Sequence, residues 1–295
     1  MNQFKGLGVA MITPFKKDLT VDVPSLKLLT DNLVENGVDY LVVMGTTGES
    51  VTLDKEDKKL VLETVLSTNA GRKPVVLGVG GNNTFELCHQ LDRLDSAGLS
   101  AILSVTPYYN KPTQNGLFEH YRSLSEHSKI PIILYNVPGR TGCNLLPETV
   151  SRIAFECRNV IGIKEASGNM EQIMTVIHNT PKDFLVISGD DAITLPLIAA
   201  GADGVISVVG NAFPTEFSKM VHHAMNNEMV EARALHFKLL EIIQNLFVEG
   251  NPGGIKEVLQ LMDKCDNYVR LPLVPVSQNT SEKLRRMLID EDFLK

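Results

Sequence analysis

Val160-Ile-Gly-Ile-Lys164-Glu-Ala-Ser-Gly168 is an apolar run that ends abruptly in a lysine. A short apolar run bounded by glycine fits a strand buried on both faces. A lysine at its end is costly to desolvate unless the site uses it. Either the ammonium reaches solvent along its own stem or pairs with Glu165, or the amine attacks a ketone and forms a Schiff base. The rest of the chain decides between these.

Outward from this strand one unit recurs. Upstream, Pro131–Tyr135 is a strand and Pro147–Glu156 a helix, with Pro147 in its first turn. Before them the spacing predicts strands over Gly6–Thr13, Tyr40–Met44, Pro74–Val79 and Ala101–Val105. Helices over Ser25–Asn36, Asp54–Asn69, Thr84–Ala97 and Gly116–Ser128 separate them, with glycines 37, 71 and 98 as stop signals. Downstream come helix Met170–Asn179, strand Phe184–Ser188, helix Ala192–Ala200 and strand Gly204–Val208. Eight buried strands in strict alternation with helices imply a parallel sheet and match a closed (β/α)8 TIM barrel. A doubly wound open sheet is the alternative. Past Pro214 only helices follow: Glu216–Asn226, Met229–Val248, Ile255–Met262 and Ser281–Ile289. The expected division is a catalytic barrel over 1–225 and a helical extension over 226–295, packed on the barrel or on a partner subunit.

With 295 residues, 43% hydrophobic and 21% charged, the chain has the makeup of a soluble protein with a sizeable core. It contains no apolar run long enough to cross a bilayer, and Met1–Lys16 lacks a signal-peptide pattern, so a cytoplasmic protein is expected. Cys88, Cys143, Cys157 and Cys265 form no CxxC pair and fit free thiols. A net charge of −7 argues against bulk nucleic-acid binding; an anionic substrate would need a local cation. The histidines fall on predicted helices without metal-ligand spacing, so no metal is expected. Without a metal to stabilise an enolate, a lysine imine is the natural electron sink.

In a (β/α)8 barrel the active site lies at the C-terminal ends of the strands. Those ends carry Thr46, Thr47 and Glu49, then Tyr108, Tyr109 and Asn110, then Tyr135 and Arg140. Lys164 and Ser167, Gly189 and Asp190, and Gly210 and Asn211 complete the set. One lysine, one arginine, three tyrosines and two threonines converge on one mouth, which favours the catalytic reading of Lys164. Each has a plainer alternative: Thr46-Thr47 as a capped turn, the tyrosines as rim packing, Arg140 as a surface charge. The arginine fork suits a carboxylate. Gly78-Val-Gly-Gly81 fails the G-x-G-x-x-G spacing and reads as a turn.

Gly45-Thr-Thr-Gly-Glu49, Tyr135-Asn-Val-Pro138 and Gly162-Ile-Lys164 resemble the pyruvate-dependent class I aldolase family that includes N-acetylneuraminate lyase. Thr106-Pro-Tyr-Tyr-Asn-Lys-Pro112 and Tyr135-Asn-Val-Pro-Gly-Arg-Thr-Gly142 resemble the branch that joins pyruvate to L-aspartate 4-semialdehyde for diaminopimelate and lysine biosynthesis. The resemblance runs from Gly8–Phe15 to Arg270–Pro275. It implies a lyase without a cofactor in which Lys164 forms the Schiff base and Tyr135 moves protons. Thr46 would link Tyr135 to Tyr109 of a neighbouring subunit. Thr47, backbone near Ile206, and Gly189 would hold pyruvate, and Arg140 the carboxylate of the aldehyde. A homotetramer of tight dimers, or at least a dimer, follows from the same resemblance.

Two departures stand out. Family members often carry Asn-Pro-Ile/Gly-Pro-x-Lys where this chain has Asn251-Pro-Gly-Gly-Ile-Lys256, a difference expected to touch little chemistry. The lysine feedback site of inhibited members corresponds to Ser50, Val51, Lys55, Lys58, Asn82, Glu86 and Tyr108. Lys55 stands where inhibited bacterial members tend to have His or Glu, and it repels a cationic effector, so weak or absent lysine inhibition is expected. The competing functions are another pyruvate aldolase, acting on sialic acid or keto-deoxy sugar acids, and a catalytically dead barrel. Arg140 speaks against the first; Lys164 and Tyr135 speak against the second.

Overall fold

The computed structural model describes residues 2–294. Strands β1 (Gly6–Ala10), β2 (Tyr40–Val43), β3 (Val75–Gly78), β4 (Ala101–Val105), β5 (Ile132–Asn136), β6 (Val160–Glu165), β7 (Leu185–Ser188) and β8 (Gly204–Ser207) pair in chain order, all parallel. Gly6↔Gly204 and Gly8↔Ile206 close the ring between β1 and β8, which excludes the open doubly wound sheet. Eight strands, each carrying helix between itself and the next, form a closed barrel as the alternation predicts.

The intervening helices are α1 (Val23–Glu35), α2 (Lys55–Asn69), α3 (Thr84–Arg93), α4 (Gln114–His127), α5 (Pro138–Thr141), α6 (Pro147–Glu156), α7 (Met170–Asn179) and α8 (Thr194–Ala199). Most start where a short polar side chain can accept from a free backbone N–H of the first turn. Asp22, Asp54, Asn83, Thr113 and Asn169 each do so, for α1, α2, α3, α4 and α7. Then α9 (Pro214–Met225), α10 (Met229–Leu246), α11 (Gly253–Leu261) and α12 (Gln278–Asp290) follow the last strand. Two apolar cores result. One fills the barrel with Tyr40, Val76, Leu103, Ile133, Ile187 and Ile206. The other lies between strands and helices and continues into Leu239, Ile243 and Leu284 of the C-terminal helices. No helix among the described residues is long and apolar enough to cross a membrane, and all four cysteines are free.

Three of the differences from the sequence expectation have a clear local setting. β1 leaves the ladder after Ala10, because Ile12 N donates to Asn211 Oδ1 (3.1 Å) and Thr13 Oγ1 to Gly48 O (2.7 Å). α3 stops at Arg93 instead of Ala97: the Asp95 carboxylate accepts from Ala97 N at 3.0 Å, a local turn that competes with helix. α5 is a single helical turn between the Pro131–Tyr135 strand and the Pro147–Glu156 helix, where the spacing predicts no element, and it carries Arg140.

The α3–α4 seam buries His120, whose Nδ1 lies 2.8 Å from Thr84 Oγ1 and whose Nε2 has no partner among the described residues. Desolvation holds the imidazole down at about 4, against an ordinary 6.5. Between those values the unfolded chain takes up a proton that the folded chain refuses. Stability therefore falls as pH falls through this window, by on the order of 3 kcal/mol in all. Wild type should lose that much relative to His120→Gln between about pH 7 and about pH 4 in urea unfolding. A stability gap that stays constant with pH would contradict the assignment.

Candidate active site

Neighbouring β5 and β6 place Tyr135 opposite Lys164, and a bulge decides which way the lysine faces. Ile132 pairs with Val160 but Ile133 with Gly162, so Ile161 is an extra residue. An inserted residue reverses the in–out alternation beyond it. Ile161 and Lys164 thus both face inward, while Ile163 joins the outer core.

Lys164 is 5% exposed, and its Nζ sits 4.5 Å from the centre of the Tyr135 ring. Glu165 points the other way and is not its counter-ion. The Glu165 carboxylate accepts from Asn136 Nδ2 (3.1 Å), Gln172 Nε2 (3.0 Å) and Ser167 N (2.9 Å). Burial raises its carboxyl above the usual range, and these hydrogen bonds hold it back. Asn144 joins Asn136 and Gln172, tying the chain that follows α5 to β5 and α7.

Lys164, Tyr135, Thr46, Thr47, Arg140 and Gly189 line one cavity of about 170 Å³, with Asp190, Val208, Phe247 and Asn251 in its walls. A side chain at position 189 would place its Cβ 3.0 Å from Lys164 Cε and 2.6 Å from Ala166 Cβ, so only glycine lets β7 end beside the lysine. Ile206 is buried in the barrel interior on β8. The end of β8 is held by Asp191, whose Oδ2 accepts from Val208 N (2.9 Å) and Val209 N (2.8 Å). Full burial lifts that carboxyl to about 6, against the pull of these donors.

Gly78 ends β3 so close to the end of β2 that a Cβ there would lie 2.2 Å from Met44 O, and the stretch Val79–Gly81 after it is irregular loop, not the expected turn. The loop after β2 is tied down from far along the chain. Glu49 is buried with φ +53, and its Oε1 lies 2.5 Å from Lys256 Nζ while its Oε2 accepts from Arg270 N at 3.0 Å. Lys256 Nζ also donates to Tyr268 O (2.7 Å) and lies 4.2 Å from the centre of the Phe15 ring. Desolvation pulls the Lys256 ammonium below its usual value; the Glu49 carboxylate pulls it back. Asn251 Nδ2 donates to Thr47 Oγ1 at 3.0 Å. The departure within Asn251–Lys256 lies at Gly254, whereas the two ends of the segment, Asn251 and Lys256, grip the Thr46-Thr47 loop. The one hint in sequence was a lysine inside the apolar stretch Gly253–Leu259.

Tyr109 is 90% exposed, has φ +63 and does not line the cavity of its own chain. A wider cleft of about 820 Å³ opens from the same mouth, where Ser50, Lys58 and Tyr108 face Thr46, Tyr135 and Arg140. Asn82 Nδ2 donates to Tyr108 O (2.7 Å) and Tyr108 N to Asn82 Oδ1 (2.9 Å). Lys55 and Glu86 are exposed in the first turns of α2 and α3. Among the described residues, no His, Cys, Asp and Glu side chains cluster in threes as a metal site would need.

Fold and site together are those of a (β/α)8-barrel enzyme with an inward lysine on its sixth strand. The sequence profile of the Dihydrodipicolinate synthetase family matches residues 3–291, and the chain belongs to that family. It is 52% identical over 284 residues to a 4-hydroxy-tetrahydrodipicolinate synthase of Flavobacterium psychrophilum, covering 96% of this chain and 97% of the relative. The crystal structure of dihydrodipicolinate synthase from Thermotoga maritima superposes with a TM-score of 0.96 at 42% identity, covering 99% of this chain and 100% of its own. A monomeric dihydrodipicolinate synthase variant also superposes with a TM-score of 0.96 at 42% identity, over 99% of this chain and 98% of its own.

Proposed function

We propose that this enzyme condenses pyruvate with L-aspartate 4-semialdehyde through a Schiff base on Lys164, as a lyase that gives 4-hydroxy-tetrahydrodipicolinate on the route to diaminopimelate and lysine. The observation that carries the proposal is a buried lysine amine in a small cavity beside a tyrosine ring, two threonines and an arginine. Its family relatives support the same reading.

The Lys164 amine adds to the ketone carbon of pyruvate and water leaves, which forms the imine. The imine draws electrons from the methyl group, a proton leaves, and an enamine results. Tyr135, next to Lys164, is the group that takes and returns protons. The enamine carbon bonds to the aldehyde carbon, whose oxygen takes up a proton. The amine of the second substrate then attacks the imine carbon, closes the ring and expels Lys164. Thr47 and the backbone at Ile206 hold the pyruvate carboxylate, and Gly189 leaves room for the adduct. Thr46 hands protons between Tyr135 and Tyr109 of a second copy. Tyr109 and the exposed side chains of Val51 and Phe85 form the surface that this copy covers, in a dimer or a tetramer of dimers.

Arg140, exposed at the rim, takes the carboxylate of the aldehyde substrate. Arg140→Ala should raise KM for L-aspartate 4-semialdehyde roughly 10- to 100-fold and leave pyruvate imine formation intact. Steady-state kinetics with each substrate varied checks this; a variant defective in pyruvate instead would remove Arg140 from its role. Free lysine, meeting Lys55 and Lys58, should inhibit weakly or not at all. A titration showing inhibition at submillimolar lysine would refute that expectation.

A further inference from the structure

The Lys164 cavity has one wall from the C-terminal extension. Asn251, between α10 and α11, is 7% exposed and donates its Nδ2 hydrogen to Thr47 Oγ1 at 3.0 Å. Its Oδ1 is buried and has no partner among the described residues. A buried amide left half satisfied costs about 1–3 kcal/mol, so this side chain is a poor choice for stability alone. A hydroxyl has one hydrogen to give and two lone pairs to receive with. Thr47 receives from Asn251 and makes no other side-chain hydrogen bond among the described residues, so its single hydrogen is unspent, beside Lys164.

We propose that Asn251 is a positioning residue: by donating to Thr47 it fixes the polarity of that hydroxyl, so that the Thr47 hydrogen is offered to the pyruvate carboxylate. The inference rests on the function proposed above and deepens it, because it makes capture of the first substrate depend on the C-terminal extension. Pyruvate carries only acceptor oxygens, so the wall that receives it has to present donors. An acceptor at position 251 would take the Thr47 hydrogen and leave an oxygen lone pair facing the carboxylate.

The test is a pyruvate titration of the whole enzyme, read as the fraction trapped on Lys164 by borohydride and weighed by mass spectrometry. Asn251→Asp has nearly the same shape but only accepts; it should weaken pyruvate capture about 100-fold, and Asn251→Ala, which merely frees the hydroxyl, about tenfold. In a Thr47→Val background Asn251→Ala should have no further effect, a result that a merely structural role would not give. Asn251→Asp with wild-type pyruvate affinity would overturn the proposal, since the amide oxygen would then be what faces Thr47. Equal losses from Asn251→Ala with and without Thr47 would overturn it as well. If Asn251→Ala does not fold, Asn251→Asp with and without Thr47 decides, because repulsion of pyruvate by the added charge persists in the Thr47→Val background and the lost Thr47 hydrogen does not. A wild type that traps no pyruvate at all would instead defeat the function proposed above.

Discussion

Lys164→Ala is expected to abolish condensation, with turnover down by on the order of 10⁴-fold or more. Two features make the effect large. The side chain is the covalent partner of the substrate, so no neighbour can take its place in the cavity. The surrounding shape is also built to it: Gly189 passes beside Lys164 Cε, and Tyr135 packs across its amine. The variant should keep its fold, because shortening a lysine next to an open cavity exposes no unpaired charge. Circular dichroism and the unfolding midpoint check that, and pyruvate consumption with added L-aspartate 4-semialdehyde checks turnover. A folded Lys164→Ala enzyme retaining a tenth of wild-type activity would rule out covalent catalysis at this position.

Lys256→Met should destabilise the protein by about 3–5 kcal/mol, because it strands the Glu49 carboxylate in the interior. Both side chains of the pair are fully buried, and Glu49 lies two residues after Thr47. Removing one partner leaves a charge with neither water nor counter-ion. Glu49→Gln in the same background removes that charge and should restore more than half of the loss. Activity should follow stability in the single variant, since the loop that carries Thr46 and Thr47 loses its tether. Guanidinium unfolding of the two single variants and the double variant gives the coupling directly. A Lys256→Met protein less than about 1 kcal/mol below wild type would mean that the pair is not buried in solution as it is here.

Much of this could be read in the sequence for local reasons. Glycine, proline and capping residues punctuate the chain, and buried parallel strands read as short apolar runs, so the eight units emerge one by one. Strand ends then gather Thr46, Tyr135, Arg140, Lys164 and Gly189 at one mouth without further information. What escaped depends on partners far away in the chain. Asn251 meets Thr47 across 204 positions and Lys256 meets Glu49 across 207, and periodicity carries no sign of either contact. The bulge at Ile161 escaped for another reason. Strict alternation from Ile161 would turn Lys164 outward, and only pairing with β5 reveals the extra residue. Glu165 illustrates the converse: adjacent in sequence, it points to the opposite face of the strand, where Asn136 and Gln172 satisfy it.

The most direct test of the Schiff-base reading is borohydride reduction of the wild-type enzyme in pyruvate, followed by intact-mass and peptide analysis. The expected result is one reduced pyruvyl adduct per chain, on the peptide that contains Lys164 and absent from Lys164→Ala. An enzyme that consumes both substrates yet carries no adduct, or carries it on another lysine, would contradict the account.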